Sequence, residues 1–571
     1  FKRMCSGLHI FSYFGTSEMP EDYKCRNTLV DSLLTDLYQI TMAYAYWKNG
    51  CAHKHSVFEA FFRKNPFKGE FTIFAGLDEV MRFISDFKFT KEQLDFLKTL
   101  LPHAEDEFFE YLSTVSGKDL SIYAIDEGTI VFPRLPLIRV EGPLAVAQLV
   151  ETTILNLINF PSLITTNAAR LRLAAGADKT LLEFGLRRAQ GPDGACSASK
   201  YSYLGGFDAT SNVQVAKLDG IKCSGTHAHS FILAYSCVDE LKTRKMKPKV
   251  KLSEEKLPSP SSSLGSPCKE DEVDFVDLVF SMREKLGFEH TNTSELVAFI
   301  AYAQAFPDGF LALVDTYNTL TSGVPNYLCV ACALSFLGYQ PIGVRLDSGD
   351  LAYLSKASRA LIDNIADKFD FPKLRLSKIV ASNDISEEVL HSLNGQGHAI
   401  DVFGIGTKLV TCSGQPALGC VYKLVEIEGK PRIKLSQVRS KMTLPCSKQV
   451  YRLCGKKGTA VLDLMGVEDK EFPKVGGQTL CIHPTDETRR VYVCPTEIVK
   501  LVSPYWIKGE FVKKMPTLAE LKSYVASNIK LIREDHKRPL NPTPYKVSVS
   551  VELHGIIRDL WIQESPVSTL E

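Results

Sequence analysis

The sequence lacks a long apolar run and lacks an excess of charge of either sign. No stretch approaches the roughly 20 consecutive apolar residues that span a bilayer. The 67 Lys and Arg residues are matched by 66 Asp and Glu residues, which leaves a net charge of +1. A nearly neutral chain has no general attraction for polyanions. We therefore expect neither a membrane partner nor a nucleic-acid partner.

Two nucleotide-binding signatures are also missing. No Walker A pattern occurs, and no full GxGxxG pattern follows a predicted strand. These absences argue against a P-loop NTPase and against a Rossmann-type dehydrogenase.

The fifteen cysteines do not form the framework of a small disulfide-linked domain. They are scattered along the chain, so a reducing compartment fits better than secretion, and we expect a cytosolic protein. The single CxxC, Cys329-Val-Ala-Cys332, lies in an apolar, helix-like run without a second ligand pair. Core packing is therefore favoured over zinc binding or redox chemistry.

With 571 residues the chain is too long for one compact core. Residues 242–274 include a run rich in proline and serine that cannot bury a core, which predicts a disordered surface insertion. The expected parts of the chain are a flexible extension at 1–27, an α+β domain at 28–160, an α/β barrel at 161–424 that carries the insertion, and a region at 425–571 that packs on the N-terminal domain.

A strand with charged residues at one end lies at Pro341-Ile-Gly-Val-Arg-Leu-Asp-Ser-Gly-Asp350. Arg345, Asp347 and Asp350 gather where this strand stops, and a helix begins at Leu351 with Ser348 or Asp350 as its N-cap. Further strands are predicted at 378–383 and 399–407, with a helix between them. Strands that alternate with helices are parallel, so their polar ends share one face.

The same alternation is found upstream. Strands predicted at 180–184, 221–225 and 310–314 also end in polar residues. At least six βα units favour a closed α/β barrel over an open sheet. One polar turn is usually just a solvated turn, but several on one face favour a ligand site.

The residues at these ends suit a phosphorylated sugar and a small acid. The turn Gly404-Ile-Gly-Thr407 has no bulky side chain, so its backbone N–H groups can approach an anion. Asp347 and Asp350 suit ribose hydroxyls or Mg²⁺. Three arginines suit phosphate or carboxylate, namely Arg187, Arg188 and Arg345.

Near the N-terminus, residues 33–47 predict an amphipathic helix. Its expected buried stripe contains Leu33, Leu37, Ile40, Tyr44 and Trp47. Tyr38 lies beside the stripe, where it is either an edge packing residue or a stacking surface for a flat ring.

A set of distinctive motifs extends from Leu33 onward. They are Leu34-Thr-Asp-Leu-Tyr-Gln39, Thr166-Asn167, Arg187-Arg-Ala-Gln-Gly-Pro192, Gly205-Gly-Phe-Asp208, Gly225-Thr226, Ala228-His-Ser-Phe231, Gly343-Val-Arg-Leu-Asp-Ser-Gly-Asp350 and Gly404-Ile-Gly-Thr407. Together they resemble nicotinate phosphoribosyltransferases of the animal type. The resemblance implies a type II phosphoribosyltransferase-like α/β barrel, with a second α+β domain built from the N- and C-terminal parts.

The resemblance also implies a reaction. Such enzymes join nicotinate to phosphoribosyl pyrophosphate, giving nicotinate mononucleotide and pyrophosphate, in the first step of NAD synthesis from nicotinic acid. ATP is hydrolysed alongside, through a phosphorylated histidine, and Mg²⁺ (or Mn²⁺) is the expected metal. The implied assembly is a homodimer.

Roles follow for the matching positions. Tyr38 would stack on the pyridine ring from the neighbouring subunit, and Thr226 and Arg345 would bind nicotinate. His229 would be the phosphorylated residue and, with Arg345 and Asp347, catalytic, whereas His227 receives no role. The residues implied for phosphoribosyl pyrophosphate are Arg187, Asp347, Gly404, Gly406 and Thr407, and Asp350 is implied for the metal.

Two other interpretations stay open at this point. A nicotinamide- or quinolinate-specific phosphoribosyltransferase would share the barrel but read a different ring substituent. A phosphosugar-binding barrel without catalysis would serve as a binding module, although the presence of His229, Arg345 and Asp347 weighs against it.

Overall fold

A computed structural model describes residues 23–250, 272–436, 441–470 and 473–565. The chain forms two compact units. The first combines Phe1–Ala168, Leu204–Gly206 and Cys412–Glu571, and the second combines Ala169–Tyr203 and Phe207–Thr411. The first boundary lies at 168/169 instead of the expected 160/161. It falls inside one continuous helix, Glu151–Ala175, so no linker composition marks it.

The α-helices are, in chain order, Leu37–Lys48 (α1), Leu77–Asp86 (α2), Lys91–Leu100 (α3), Asp106–Thr114 (α4), Leu144–Leu149 (α5), Glu151–Ala175 (α6), Gly191–Leu204 (α7), Val213–Asp219 (α8), His229–Leu233 (α9), Phe275–Leu286 (α10), Thr293–Ala305 (α11), Val324–Phe336 (α12), Leu351–Lys368 (α13), Glu387–Gln396 (α14), Thr407–Thr411 (α15), Leu518–Leu531 (α16) and Val551–Glu564 (α17). The strands are His55–Phe62 (β1), Thr72–Ile73 (β2), Ser121–Ile125 (β3), Ile130–Val131 (β4), Ile138–Pro143 (β5), Thr180–Glu183 (β6), Ala209–Thr210 (β7), Lys245–Met246 (β8), Val273–Asp274 (β9), Leu311–Leu313 (β10), Gly343–Leu346 (β11), Lys378–Ala381 (β12), Val402–Ile405 (β13), Cys420–Ile427 (β14), Lys430–Pro431 (β15), Lys448–Cys454 (β16), Ala460–Val467 (β17), Thr479–His483 (β18), Asp486–Val493 (β19), Glu497–Lys500 (β20), Val502–Ile507 (β21), Glu510–Phe511 (β22) and Lys546–Val549 (β23).

The second unit contains a six-stranded sheet in the order β10-β11-β12-β13-β6-β7. Every pairing in it is parallel. Helices α13 and α14 connect β11, β12 and β13, as the strand and helix alternation predicted. The Asp350 carboxylate caps α13 by accepting a hydrogen bond from the backbone N–H of Tyr353 at 2.9 Å.

An irregular segment connects the two edges of this sheet. Residues 221–225, predicted as a strand, contribute only a parallel bridge between Cys223 and Thr210 on β7. Lys222, Cys223 and Gly225 are exposed, so this segment cannot fill the position of a buried strand. Farther along, Nε2 of His227 accepts a hydrogen bond from the backbone N–H of Leu313 on β10 at 3.3 Å. The predicted α/β barrel is confirmed, with an irregular segment in place of one predicted strand.

The first unit contains the second domain. Its seven-stranded sheet runs β15-β14-β1-β5-β3-β21-β22, and its six-stranded sheet runs β19-β18-β23-β17-β16-β20. Strand β14 pairs antiparallel with β1, and β21 pairs antiparallel with β3. Strands from both ends of the chain therefore share one sheet, which confirms an α+β domain built from the N- and C-terminal parts.

The predicted flexible extension at 1–27 is wrong at its end. The Tyr23 hydroxyl donates to Oδ1 of Asp78 at 2.7 Å, and its ring lies 4.0 Å from the Arg82 guanidinium. The backbone N–H of Cys25 donates to Asp86. These contacts fix residues that the irregular sequence did not predict to pack, while positions 1–22 lie outside the described residues.

The first helix starts later than expected. Helix α1 begins at Leu37 because the Asp31 carboxylate accepts the backbone N–H of Leu33 and holds the preceding residues in a turn. The buried residues of α1 are Gln39, Ile40 and Ala43, whereas Leu37 is 54% exposed. The predicted stripe is therefore confirmed at Ile40, and at Tyr44 and Trp47, which are half-buried against the buried ring of Phe108. It is wrong at Leu37, and Leu33 lies before the helix.

The predicted disordered insertion at 242–274 is wrong at both ends. Strands β8 and β9 pair antiparallel, and Arg244 forms an ion pair with Asp274 at 2.9 Å. The Asp274 side chain also caps α10. Positions 251–271, which include the proline- and serine-rich run, lie outside the described residues.

Two expectations about apolar segments can be compared with the structure. Cys329 and Cys332 are buried free thiols in α12, and burial raises the pKa of both, which confirms core packing. Within the described residues, one helical stretch, Leu144–Ala175, is long and apolar enough to cross a membrane. Glu151 interrupts its sequence, and 61% of its most apolar window is buried, as is typical of a core helix.

Candidate active site at the ends of the barrel strands

Arg345 on β11 is held from three sides within the barrel unit. Its Nε donates to Oγ of Ser382 at 2.8 Å, and its Nη1 donates to Oγ1 of Thr226 at 3.0 Å. Its Nη2 lies 3.4 Å from Oδ1 of Asp347. The side chain is 14% exposed, so the guanidinium is oriented by protein groups and still reaches solvent. A planar cation held in this way suits a planar carboxylate.

Asp347 shares a partner with Arg345. The Ser382 hydroxyl donates to Oδ1 of Asp347 at 2.6 Å while it accepts from Arg345. From the end of β12, Ser382 therefore fixes the relative positions of a cation and a carboxylate at the end of the neighbouring strand β11. The sequence predicted this pair but not the serine between them, since a serine after a strand has no distinctive pattern.

The two neighbouring histidines have different environments. His227 is buried, and Phe231, Phe299 and Tyr302 surround its ring, with Tyr302 edge-to-face at 4.8 Å. Burial lowers the pKa of His227 to about 4. It is therefore neutral near pH 7 and forms part of the barrel wall.

His229 stands at the start of α9 with its side chain 41% exposed. Its Nε2 lies 3.1 Å from Oδ1 of Asp315, whose side chain is only 3% exposed. The other carboxylate oxygen of Asp315 accepts a hydrogen bond from the Ser348 hydroxyl at 2.5 Å. The sequence placed Asp315 at a strand end but gave it no role. In the structure it orients His229.

The glycine-containing turn joins β13 to the short helix α15. A Cβ on Gly404 would lie 2.5 Å from the Phe184 ring, and a Cβ on Gly406 would lie 3.0 Å from the Phe184 carbonyl oxygen. Gly404 therefore admits an aromatic ring rather than a ligand, which differs from the reason the sequence suggested. Phe184 in turn lies 5.8 Å from the Arg345 guanidinium. Thr407 is the first residue of α15.

Other predicted site residues lie at separate positions. Arg187 is exposed in a short turn of helix, Leu186–Arg188, that follows β6. Asp350 is exposed and uses one carboxylate oxygen to cap α13. In the first unit, Tyr38 is 47% exposed on α1, and its hydroxyl donates to Glu151 at 3.3 Å.

The carboxylates of the barrel can be compared with the needs of a divalent cation. Within the described ranges, no group of three or more His, Cys, Asp or Glu side chains could hold a metal by itself. Mg²⁺ is commonly held by one or two carboxylates together with substrate phosphates and water. Asp347 and Asp350, which flank the end of β11, supply oxygen ligands of that kind. The residues fit a cation shared with a phosphorylated substrate.

Comparisons with known proteins point to one family. The nicotinate phosphoribosyltransferase N-terminal domain model matches residues 33–159, and the C-terminal domain model matches residues 447–557. A nicotinate phosphoribosyltransferase from Dictyostelium discoideum is 51% identical over 97% of this chain and 92% of its own length. The chain belongs to the nicotinate phosphoribosyltransferase family.

The family assignment extends to animal proteins. A nicotinate phosphoribosyltransferase from Caenorhabditis elegans is 50% identical over 99% of this chain and 97% of its own length. The crystal structure of human nicotinic acid phosphoribosyltransferase superposes with a TM-score of 0.80 at 38% identity, covering 92% of this chain and 100% of that one. The family expected from the sequence motifs is confirmed.

Proposed function

We propose that the protein transfers the phosphoribosyl group of phosphoribosyl pyrophosphate to the ring nitrogen of nicotinate. The products are nicotinate mononucleotide and pyrophosphate, which makes this the first step of NAD synthesis from nicotinic acid. The name shared by relatives over nearly the whole chain supports the proposal. The observation that carries it is the orientation of Arg345 by Ser382, Thr226 and Asp347.

Recognition of the ring depends on Arg345 and Thr226. A guanidinium offers paired N–H donors in one plane, which match the two oxygens of a carboxylate. Thr226 accepts from Arg345, and its hydroxyl belongs to the same polar cluster. The ring substituent of nicotinate is a carboxylate, whereas that of nicotinamide is a neutral amide. Tyr38, with its exposed ring, provides a flat surface for the pyridine.

The bond changes are simple to balance. The C1–O bond of the sugar breaks, its electron pair leaves with pyrophosphate, and the lone pair of the pyridine nitrogen forms the new C1–N bond. Positive charge develops on the sugar and negative charge on the leaving group, so no nucleophile from the protein is required. Asp347 provides a carboxylate for the ribose, and positioning supplies much of the rate.

Phosphate binding is assigned to the residues that follow two barrel strands, β6 and β13. Arg187 follows β6 and is exposed, which leaves its guanidinium open to a phosphate. Gly406 and Thr407 follow β13, where their backbone N–H groups and the Thr407 hydroxyl serve the sugar 5′-phosphate, while Gly404, inside β13, leaves room for the Phe184 ring. Bound Mg²⁺ (or Mn²⁺) would neutralise pyrophosphate charge, with Asp347 and Asp350 as its protein ligands.

ATP acts as a co-substrate in this proposal, through phosphorylation of His229. Because Nε2 of His229 faces Asp315, Nδ1 is the nitrogen that remains for the phosphoryl group. The lone pair of Nδ1 attacks the γ-phosphorus, the bond to the β-phosphate oxygen breaks, and ADP leaves. Water later hydrolyses the phosphohistidine and releases phosphate. The negative charge added at His229 would favour transfer by stabilising the positive charge that develops on the sugar and a Mg²⁺ bound there.

A homodimer in the cytosol completes the proposal. Leu37 and Tyr38 are exposed side by side on α1, which suits a partner subunit. The cysteines that the structure describes are free thiols, as expected in a reducing compartment.

A product assay tests the proposal. Purified protein, phosphoribosyl pyrophosphate and Mg²⁺ are incubated with nicotinate, nicotinamide or quinolinate, with and without ATP, and the mononucleotides are separated. Nicotinate mononucleotide should form in preference to the others, and ATP should increase its rate. Preference for nicotinamide or quinolinate would favour a related specificity, and no product with any ring would favour a binding module.

A further inference from the structure

A cavity of about 400 Å³ lies in the first unit, and none of the residues assigned to the transfer reaction lines it. Both ends of the chain build it, since Phe132 and Arg134 come from the N-terminal part and His483 and Tyr545 from the C-terminal part. Its volume falls within the range of small-molecule sites. The nicotinate phosphoribosyltransferase chemistry proposed above uses none of these residues.

The lining of this cavity is strongly cationic. The lining includes Arg134, Arg489, Arg490 and Lys546, the last three of them exposed, and a single carboxylate, that of Glu70. None of these four cations forms an ion pair with any described residue. Because these cations line one concave surface, their fields add there and favour a bound anion, although salt screens the exposed ones.

Arg134 shows that this concentration is costly to the fold. Burial and, less strongly, the charge of Arg63 lower the pKa of Arg134. The backbone of Arg134 has φ of 73°, a left-handed conformation that disfavours a side chain. Strained, uncompensated residues are concentrated at ligand sites, where a bound group offsets their cost.

His483 lies beside these cations as a neutral donor or acceptor. Burial, Arg489 and Arg134 lower the pKa of His483, and the carboxylate of Asp486 only partly offsets them. The carboxyl of Glu70 is affected in the opposite sense, since burial raises its pKa. An anion in the cavity would therefore meet several cationic donors and one carboxyl group whose charge is already disfavoured.

The aromatic wall is rigid. The rings of Phe132 and Tyr545 stack with centroids 3.6 Å apart and planes at 8°. The Tyr545 hydroxyl donates to Oδ1 of Asp463 at 3.0 Å, and Asp463 forms a buried ion pair with Arg452 at 2.8 Å. This chain of contacts holds one side of the cavity in place without a ligand, as expected of a preformed site.

We propose that this cavity binds a small molecule bearing several phosphate charges, with Arg134, Arg489, Arg490 and Lys546 as its charge partners. Guanidinium groups favour phosphate because they offer paired donors that match its oxygens. The size of the cavity fits a nucleotide or a polyphosphate. None of its lining residues belongs to the barrel unit, so the proposal stands or falls independently of the transfer reaction.

Hydrogen exchange with tripolyphosphate as the probe tests this site at about 0.15 M ionic strength. In the wild type, the probe should slow exchange in peptides containing 132–134, 483–491 and 545–548. The variant Arg489→Glu/Arg490→Glu should lose this protection and weaken binding there at least about tenfold, because two charge-assisted contacts become repulsive. Any protection near the barrel turn at 404–407 should remain.

Matched variants and probes make the result decisive. Lys456→Glu/Lys457→Glu changes the same charge on an exposed turn of the same sheet, outside the cavity, and should keep the protection. Arg134→Gly removes a guanidinium at a position where glycine readily adopts the positive φ, and should also lose it. Protection confined to the barrel, protection unchanged in both cavity variants, or equal protection by uncharged adenosine would overturn the proposal.

Discussion

The backbone N–H of Leu313 donates a hydrogen bond to Nε2 of His227 at 3.3 Å. This bond fixes the irregular segment against the edge strand β10 and requires Nε2 to be unprotonated. His227 is thereby occupied as a structural residue, whereas His229, two residues later, projects towards Asp315 with its side chain 41% exposed. One segment thus divides two histidines into a wall residue and a residue available for chemistry.

The first prediction is that His227 makes the protein less stable in mild acid. Burial lowers the pKa of His227 to about 4, from an ordinary value of about 6.5. Between these values the unfolded chain binds more protons than the folded one, so stability falls as the pH falls. The free energy of unfolding should therefore be unaffected by His227 above about pH 6.5 and should fall towards pH 4. Its slope with pH should be at most about 1.4 kcal/mol per pH unit.

Urea unfolding between pH 4 and pH 7 measures this slope. His227→Gln keeps an acceptor for the Leu313 N–H but does not titrate, so its slope should be smaller than that of the wild type. The pKa values of His398 and His483 are also lowered, mainly by burial, so part of the slope should persist in the variant. Identical slopes would show that His227 does not titrate in this range.

The second prediction concerns the pair His229 and Asp315. Asp315→Asn should reduce ATP-stimulated turnover about tenfold or more, because the amide no longer holds the imidazole in the reactive tautomer. His229→Ala should abolish the stimulation and leave weak transfer without ATP. Acid-labile label from γ-³²P-ATP should be lost in His229→Ala and reduced in Asp315→Asn, while His227→Gln retains it. Label that survives in His229→Ala would assign the phosphoryl group elsewhere.

The third prediction concerns ring specificity. Arg345→Lys should reduce kcat/KM for nicotinate. The loss of transition-state stabilisation should be about 2–5 kcal/mol, since an ammonium cannot reproduce the planar contacts. Activity with nicotinamide should change much less, so the preference for nicotinate should shrink. Arg375→Lys is the matched control, because Arg375 is an exposed arginine paired with Asp367. Equal losses for both rings would contradict a role in reading the carboxylate.

Strand and helix alternation made much of the barrel predictable. Arg345 and Asp347 were placed correctly because a short apolar strand followed by charged residues is a strong local pattern. The strand predicted at 221–225 was wrong because the exposure of these residues depends on their position between two edge strands, which no local pattern reveals. The packing of Tyr23 was missed for the same reason, since its partners Asp78 and Arg82 are far along the chain.

The polar contacts of the site were less predictable than the fold. Ser382 connects Arg345 to Asp347 across two strands, and Asp315 meets His229 across 86 positions of sequence. Such pairings arise from the register of parallel strands, which spacing alone does not determine. The reason for Gly404 was also missed, because the ring of Phe184 comes from another strand end.

The fourth prediction concerns residues 242–274. Deleting all of them should lower Tm, because this removes the β8 and β9 pairing, the Arg244–Asp274 ion pair and the Asp274 cap of α10. Loss of a cap alone costs about 1 kcal/mol. The control deletes only 251–271 and joins the ends with a Gly/Ser linker, which keeps these contacts, so it should lower Tm less. Equal effects of the two deletions, measured by calorimetry, would show that the short sheet and its ion pair do not stabilise the unit.

The last prediction is that Tyr38 and Arg345 act in one site but come from different subunits of a dimer. Tyr38→Ala and Arg345→Ala should each be nearly inactive alone. In a mixed dimer, one site would carry both changes and the other would carry neither. Random exchange at equal concentrations would give about half mixed dimers, each with one intact site, and therefore about a quarter of the wild-type activity.

Subunit exchange must be shown independently for this test to be decisive. Differently tagged variants, refolded together and purified through both tags, provide the mixed dimer itself, which should reach about half of the wild-type activity. The control is a mixed dimer of wild type with the double variant Tyr38→Ala/Arg345→Ala, in which each shared site would carry one change, so activity should stay low. Purified mixed dimers of Tyr38→Ala and Arg345→Ala without recovered activity would place both residues in the site of one subunit.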